Sequence, residues 1–500
     1  MNILNGYFRL IAAFALGVAT VSGFAPFYLY PIPVVTLALL ALLWRRSRTP
    51  GQAALTGFTF GMGLFGAGVT WLYVSLHDFG HMEPALAVLA LIILCAYLAL
   101  FPALTGWITA FRHFRASWAW PGMVAALWAL AEWLRGTLFT GFPWLTVGYS
   151  QAPASPLAGF APVIGVYGLS LLLMLSAAWL ACWLENRQSH RFWLGLGSVW
   201  LIGFGLQQIH WTQPEGEPVT VSLLQGNIPQ NMKWQPEHLA ATMQIYAELV
   251  QESPSRLIVT PEISFPLFYE QAPQDYLALL AEHARSRQGD LLIGMAERSS
   301  SDNGYYNTMF SFGTSPEQSY RKYHLVPFGE YIPLKPVFGW IIDVLHIPLS
   351  DFSRGGLDQQ PLDLAGQQVA VNICYEDVFG EEIIMQLPQA SLLVNVSNDA
   401  WFGRSIGPRQ HLQISQMRAL ETGRYMLRAT NTGVTAIIDE RGRVLEQLDM
   451  FTTAGLHSTA QGFGGATPYV RFGNSLVFAL IGLLLLAGSL AAFSGRRKTL

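Results

Sequence analysis

Apolar positions along this chain fall into two regimes. In the first they form near-continuous runs: Leu10 to Phe24, Tyr28 to Trp44, Gly57 to Leu76, Ala85 to Phe111, Ala116 to Leu134, Val163 to Leu184 and Phe192 to Leu206. One more run, Ser475 to Phe493, lies near the C-terminus. Since about 20 apolar residues cross a hydrocarbon core as a helix, the pattern predicts eight transmembrane helices. Arg45, Arg46 and Arg48 follow the second run, Arg112 and Arg115 the fourth, Arg187 and Arg191 the sixth, and Arg496, Arg497 and Lys498 the eighth. Short loops rich in Arg and Lys stay cytoplasmic. Eight spans therefore put both termini in the cytoplasm and the stretch from Thr212 to Gly465 outside it. A cleaved leader competes for the first run, but no small-residue cleavage site precedes the second, so a retained helix is expected.

Between the seventh and eighth runs the period changes. Short β-rich runs appear at Val219 to Leu224, Leu257 to Thr260, Leu291 to Met295, Val369 to Ile373, Leu392 to Val396 and Val434 to Ile438. Helical spacing separates several of them. Pro236 to Glu252 opens on a proline suited to a first turn and places Leu239, Met243, Tyr246, Ala247 and Val250 on one face; Pro273 to Arg287 and Arg409 to Arg424 read similarly. Strands alternating with helices over about 250 residues predict a single α/β domain. The expected organisation is seven transmembrane helices in 1–211, an extracytoplasmic domain in 212–466, and an eighth helix with a cytoplasmic tail in 467–500.

Composition agrees with a membrane protein, at 52% hydrophobic and 12% charged residues. A net charge of -3 offers no basic surface for nucleic acid. Of Cys95, Cys182 and Cys374, the first two sit inside apolar runs as small hydrophobes. No pair has metal-ligand spacing and the count is odd, so neither a metal nor a disulfide framework is expected.

Cys374 ends the run Val369 to Ile373 and precedes Tyr375-Glu-Asp-Val-Phe-Gly380 and a predicted helix over Glu381 to Leu387. A strand-to-helix turn sets its sulfur near backbone N–H groups, which favour thiolate; the alternative is a buried structural cysteine. Glu262, in Thr-Pro-Glu-Ile-Ser-Phe-Pro, emerges from the strand Leu257 to Thr260. Ile263, Phe265 and Phe268 around it predict desolvation and a raised pKa, as a general base requires, although most glutamates are solvated. Lys322 lies in Tyr320-Arg-Lys-Tyr-His-Leu-Val-Pro-Phe-Gly-Glu-Tyr331, which reads as a strand entering a loop, whereas Lys335 looks like an ordinary loop charge. Together the three supply a nucleophile, a base and an oxyanion stabiliser, a set sufficient for acyl transfer.

These segments resemble the Glu-Lys-Cys signature of the nitrilase superfamily. Val326-Pro-Phe-Gly-Glu330, the opening Gln225-Gly-Asn-Ile-Pro-Gln230 and the eight surrounding runs are most similar to the apolipoprotein N-acyltransferase family, over essentially the whole chain. The resemblance implies an αββα sandwich with Glu262 as base, Lys322 as stabiliser of the tetrahedral intermediate and Cys374 as thioester. It also implies supporting roles for Trp234, Asn307, Glu330, Tyr375 and Glu376. The acyl donor would be a membrane phospholipid, phosphatidylethanolamine, and the acceptor the N-terminal diacylglyceryl-cysteine of an apolipoprotein; no cofactor is implied. A single nucleophile serving two lipid substrates in turn predicts ping-pong kinetics.

Phe265, Phe268, Phe338, Trp340, Trp401 and Phe402 can shelter acyl chains or fill the domain core. Glu132 and Arg135 can pair on one helix face or lie at the membrane boundary. Two rival functions remain open: a membrane-anchored amidase, which would share the triad yet need one span, and a transporter, whose spans should carry paired charges.

Overall fold

The protein is described by a computed structural model covering residues 2–115, 117–186, 191–299, 304–333 and 351–496. Lys335, Phe338, Trp340, Arg187, Arg497 and Lys498 lie outside the described residues. Two compact units form, one from Met1–Leu72, Ala85–His210 and Arg471–Leu500, the other from Tyr73–Pro84 and Trp211–Val470.

In the first unit a helix stands at every predicted apolar run: Asn2–Thr20, Pro31–Arg45, Pro50–Gly68, Pro84–Thr109, Trp120–Arg135, Ala161–Glu185, Arg191–Leu206 and Ser475–Arg496. Four stretches are long and apolar enough to cross a membrane: Gly6–Gly23, Pro84–Thr109, Pro156–Glu185 and Ser475–Ala492. Pro50–Gly68 with Trp71–Phe79, bent by 58°, makes a fifth; Pro31–Arg45 and Phe192–Leu206 are shorter. Hence the predicted eight spans correspond to eight helices, of which four or five have the full length and apolarity. Small residues let these helices approach closely: a side chain on Gly17 would strike the Phe60 carbonyl, and one on Gly63 the Phe14 carbonyl.

Glu132 and Arg135 are both buried. They are 6% and 1% exposed. The Val147 N–H donates to Glu132 Oε1 at 2.9 Å, while Arg135 donates to the Phe142 carbonyl, to the Trp144 carbonyl at 2.7 Å and to Thr146 Oγ1 at 3.1 Å. The two side chains together staple residues 142–147 to the helix that carries them.

The third predicted run is shorter than expected, because its helix ends at Gly68 and the chain turns. Residues Tyr73–Pro84 belong to the second unit, where Ser75 Oγ donates to the Trp401 carbonyl at 2.7 Å and the Phe79 ring meets the Trp401 ring edge-on.

Among the described residues the rest of the second unit is built on twelve strands: β1 Val219–Gln225, β2 Leu257–Val259, β3 Asp290–Arg298, β4 Tyr305–Gly313, β5 Gln318–Arg321, β6 Leu362–Leu364, β7 Gln367–Ile373, β8 Leu392–Ser397, β9 Tyr425–Thr430, β10 Ala436–Ile438, β11 Val444–Gln447 and β12 Ala454–Ala460. A two-stranded ladder, Gln213–Pro214 with Phe463–Gly464, lies apart. One six-stranded sheet has the order β12-β1-β2-β3-β4-β5 and the other β11-β10-β9-β8-β7-β6. Each has three parallel strands at its centre, β1-β2-β3 and β7-β8-β9, flanked by antiparallel ones.

Alternation along the strands decides what each face buries. Val219, Val221 and Leu223 of β1 share a cluster with Val369, Val371 and Ile373 of β7 and Leu392, Val394 and Val396 of β8. The opposite face of the first sheet, through Leu224, Ile258, Leu291 and Ile293, packs on helices Pro236–Glu252 and Gln274–Ser286. Ala370 and Leu393 point away from the shared cluster and join Leu412 and Ala419 of helix Gly407–Thr422. That last helix departs from expectation. Apart from the exposed Arg409 it is buried along its whole length, polar residues included, and stops at Gly423, whose φ of +64° suits glycine.

Candidate active site

Ligand sites of parallel sheets gather at the carboxyl ends of the strands, and the chemistry-bearing residues here do so. Strand β7 ends at Ile373, and Cys374–Val378 forms a 3-10 turn rather than running directly into a helix. Cys374 has φ +54°, a conformation that costs a non-glycine residue about 1 kcal/mol or more and must be held by its surroundings. Glu376 supplies much of the hold. Its Oε2 accepts from the Ile373 N–H at 2.6 Å and the Tyr320 hydroxyl at 3.1 Å, and its Oε1 from the N–H groups of Tyr323 at 2.6 Å and His324 at 3.1 Å. One carboxylate thus ties the cysteine turn to the lysine loop. Burial pushes Glu376 up to about 7, against these donors and Lys322.

Glu262 follows β2 by three residues and is 7% exposed. Asn307 Nδ2 at 2.8 Å and Lys322 Nζ at 3.2 Å donate to its Oε1, and the Asn398 N–H at 2.9 Å to its Oε2. Lys322 follows β5, is 1% exposed, and also reaches Glu330 Oε1 at 2.8 Å. Glu330 accepts from Asn307 Nδ2 at 3.3 Å and, through Oε2, from the Val326 N–H at 2.8 Å. Asn307 lies on β4, where its own carbonyl pairs with the Lys322 N–H at 2.8 Å.

Two expectations about charge fail. Burial alone would raise Glu262, but the Lys322 and Lys233 ammonium groups outweigh it and hold the carboxyl below its usual range. Burial and the facing Glu262 push the Cys374 thiol well above its ordinary value, with Lys322 opposing, so the resting sulfur keeps its proton. Lys322 would be lowered by burial, yet Glu262 and Glu330 hold it above the usual lysine range. The resulting set is a thiol held in its protonated form, an ionised carboxylate and a charged lysine, whose charges act on one another.

The other residues singled out from sequence fall into two groups. Trp234 packs against Ile263, Leu325 and Phe352 under the glutamate loop. Tyr375 is 8% exposed, with its ring against Phe379 and His324. Of the aromatics, Phe265 is core, packed on Tyr246 and Tyr276; Phe268 lies beneath Arg298; and Trp401 and Phe402 are half-buried in the loop after β8.

Sequence reasoning missed Lys233, whose ammonium donates to the Glu262 carbonyl at 3.0 Å, and Asn398, which fixes Glu262 through the backbone. It also missed a second charged cluster at the cysteine turn. His411 Nε2 lies 3.3 Å from the Cys374 carbonyl and 2.9 Å from Asp377, its Nδ1 2.9 Å from Asp399, and Arg428 bridges both aspartates. The available signal was the polar density of Arg409 to Arg424, too high for an ordinary amphipathic helix.

Similar proteins bear on this arrangement. A family profile described as the apolipoprotein N-acyltransferase N-terminal domain matches residues 16–179, and one described as carbon-nitrogen hydrolase matches residues 220–460. Curated relatives named apolipoprotein N-acyltransferase include one from Methylococcus capsulatus, 44% identical over 93% of this chain and 92% of the relative. Another, from Chromobacterium violaceum, is 42% identical over 97% and 94%, and one from Vibrio cholerae is 38% identical over 95% of each. The chain therefore belongs to the apolipoprotein N-acyltransferase family, an acyltransferase with a carbon-nitrogen hydrolase domain of the nitrilase superfamily.

Proposed function

We propose that this chain carries a fatty acyl group from a membrane phospholipid, phosphatidylethanolamine, to the α-amino group of the N-terminal diacylglyceryl-cysteine of apolipoproteins, through a thioester on Cys374. The observation that supports this best is one hydrogen-bonded cluster in which Asn307 and Glu330 hold the buried Glu262 and Lys322, the two members whose charges act on the Cys374 thiol. In this reading the helix and sheet layers make an αββα sandwich, with 1–211 and 467–500 as the membrane region and 212–466 as the catalytic domain. By its Arg and Lys clusters the chain sits in the bacterial inner membrane with both termini cytoplasmic and the catalytic domain periplasmic.

In the first half-reaction Cys374 Sγ attacks the ester carbonyl as Glu262 takes the thiol proton, and Lys322 stabilises the oxyanion. Collapse breaks the ester C–O bond, and Glu262 returns the proton to the departing lysophospholipid hydroxyl. In the second, the acceptor nitrogen attacks the thioester carbon. The C–S bond breaks with its electron pair going to sulfur, and the nitrogen's proton goes to Glu262, which passes it on to sulfur and so restores the thiol and the carboxylate. Asn307, Glu330 and Asn398 hold the two charged groups; Trp234, Tyr375 and Glu376 brace the loops that carry them. Release of lysophospholipid before acceptor binding makes the kinetics ping-pong.

The test is the intact mass of the Cys374 peptide after incubating the purified protein with phosphatidylethanolamine and no acceptor. A gain of one acyl group, released by hydroxylamine and absent in Cys374→Ala, is expected. A folded protein that forms no adduct with any phospholipid yet hydrolyses small amides overturns the reading in favour of an amidase.

A further inference from the structure

Strand β1 ends in the segment Gln225-Gly-Asn-Ile-Pro-Gln230, whose backbone leans on a single residue of the other sheet. Asn431 follows β9 and is 1% exposed. Its Oδ1 accepts from the Ile228 N–H at 2.8 Å and its Nδ2 donates to the Ile228 carbonyl at 2.7 Å, so one amide pairs with both polar groups of one residue. A flipped amide would set oxygen against that carbonyl, so the orientation is fixed. The Asn431 carbonyl also accepts from the Asn227 N–H at 2.9 Å. The second Nδ2 proton goes to Asn398 Oδ1 at 3.0 Å. Asn398 is held at its other end too, where Nδ2 donates to Gln230 Oε1 at 2.6 Å. Its side chain is thus pinned between Asn431 and the β1 segment, while its backbone N–H meets Glu262 Oε2 at 2.9 Å.

The two oxygens of Glu262 are not equivalent. An ionised carboxylate offers about four lone-pair sites, two on each oxygen. Oε1 fills both, with Asn307 Nδ2 at 2.8 Å and Lys322 Nζ at 3.2 Å. Among the described residues Oε2 takes one donor, the Asn398 N–H. Oε2 is therefore the oxygen with room for a proton, and the Asn398 N–H sets where its remaining lone pair points.

We propose that Asn431 is a positioning residue for proton transfer: through Asn398 it fixes Glu262 Oε2, the oxygen that takes the Cys374 proton. This rests on the proposed role of Glu262 as base. In the acylation step the S–H bond breaks, its proton goes to Oε2, and sulfur bonds to the ester carbon. The ester C–O bond then breaks and the proton leaves on the lysophospholipid hydroxyl. A base works only when the proton it takes lies within hydrogen-bond reach in the right direction. Loosening the Asn431 tether therefore slows the transfer while leaving the hold on phospholipid intact.

The experiment is the rate of Cys374 acylation by phosphatidylethanolamine in the full-length protein in detergent, read by intact mass, in a double-mutant cycle of Asn431→Ser with Glu262→Gln. Asn431→Ser removes the amide that bridges Ile228 and Asn398. It should slow acylation about 10–100-fold, with the phospholipid concentration at half-maximal rate staying within about twofold of the unsubstituted protein. In the Glu262→Gln background the same substitution should cost less than about threefold, because no base remains to be misaligned. An undiminished rate in Asn431→Ser overturns the proposal, and so does an equal loss in both backgrounds, the mark of an amide that only holds the fold together. Should Asn431→Ser not fold, Asn398→Ala, which keeps the N–H on Glu262 and drops both tethers, carries the same cycle. Failure of the base reading shows differently, as Glu262→Gln acylating at full rate.

Discussion

Two buried charge clusters meet at the Cys374 turn and are built on opposite plans. In one, Asp377, Asp399, His411 and Arg428 are all at most 2% exposed, and two cations face two anions: Arg428 lies 2.9 Å from Asp399 and 3.4 Å from Asp377, and His411 bridges the same pair at 2.9 Å each. Ser415 Oγ adds a bond to Asp377 at 2.6 Å. In the other, Glu262 and Glu330 share Lys322 as their one paired cation, the nearby Lys233 bonds only to a carbonyl, and the buried Asn307 Oδ1 has no hydrogen-bond partner among the described residues. Low dielectric makes an uncompensated charge expensive and a compensated one rigid. The balanced cluster therefore reads as scaffold for the cysteine turn, and the unbalanced one as a place where charge is meant to change.

Substitutions that keep shape and remove charge separate the two. Glu262→Gln in the unbalanced cluster should cut the rate of Cys374 acylation by about 10²–10⁴-fold, the range of a lost general base. Lys322 keeps Glu330, so the melting temperature should barely move. Acylation at an undiminished rate would remove Glu262 from the proton path. Arg428→Met in the balanced cluster should do the converse, losing about 3–5 kcal/mol of stability because two buried aspartates lose their guanidinium. The measurement is the denaturation midpoint in detergent. An unchanged midpoint would mean the cluster holds no part of the fold together.

The unbalanced cluster was also the more legible in sequence. Cys374 and Glu262 each follow an apolar strand whose period announces it, and Lys322 sits where an aromatic and charged strand enters a loop; Trp234, Asn307, Glu330, Tyr375 and Glu376 came only from family resemblance. The strand β9 went unseen because Arg428, inside Tyr425–Thr430, breaks the apolar pattern, yet that arginine is buried as partner to Asp377 and Asp399. Helix Gly407–Thr422 was found, but its burial was not. Periodicity assumes that polar residues face water, and His411, Ser415 and Gln416 instead face buried partners. The signs of the Glu262 and Cys374 shifts were misjudged for the same reason, since desolvation is local to the segment whereas Lys322, Lys233 and the facing carboxylate arrive from elsewhere in the fold.

The smallest effect concerns the balanced cluster's only titratable cation near neutrality. Burial and Arg428 would lower His411, but Asp377 and Asp399 outweigh them and lift it to about 9 from 6.5. A raised folded pKa means the native state binds the proton more tightly than the unfolded chain does, so the stabilisation is complete below about pH 6.5 and fades as pH rises through about 9. Lys233, depressed to about 8, tilts the curve the other way above that pH. It is common to the parent and a His411→Gln variant, and cancels in their difference. The gap in apparent melting temperature between the two should hold steady up to about pH 6.5 and close by several degrees towards pH 9. A gap that stays constant across the series would mean that a neutral imidazole holds the Cys374 carbonyl by hydrogen bonding alone, and that the two clusters differ in geometry but not in charge.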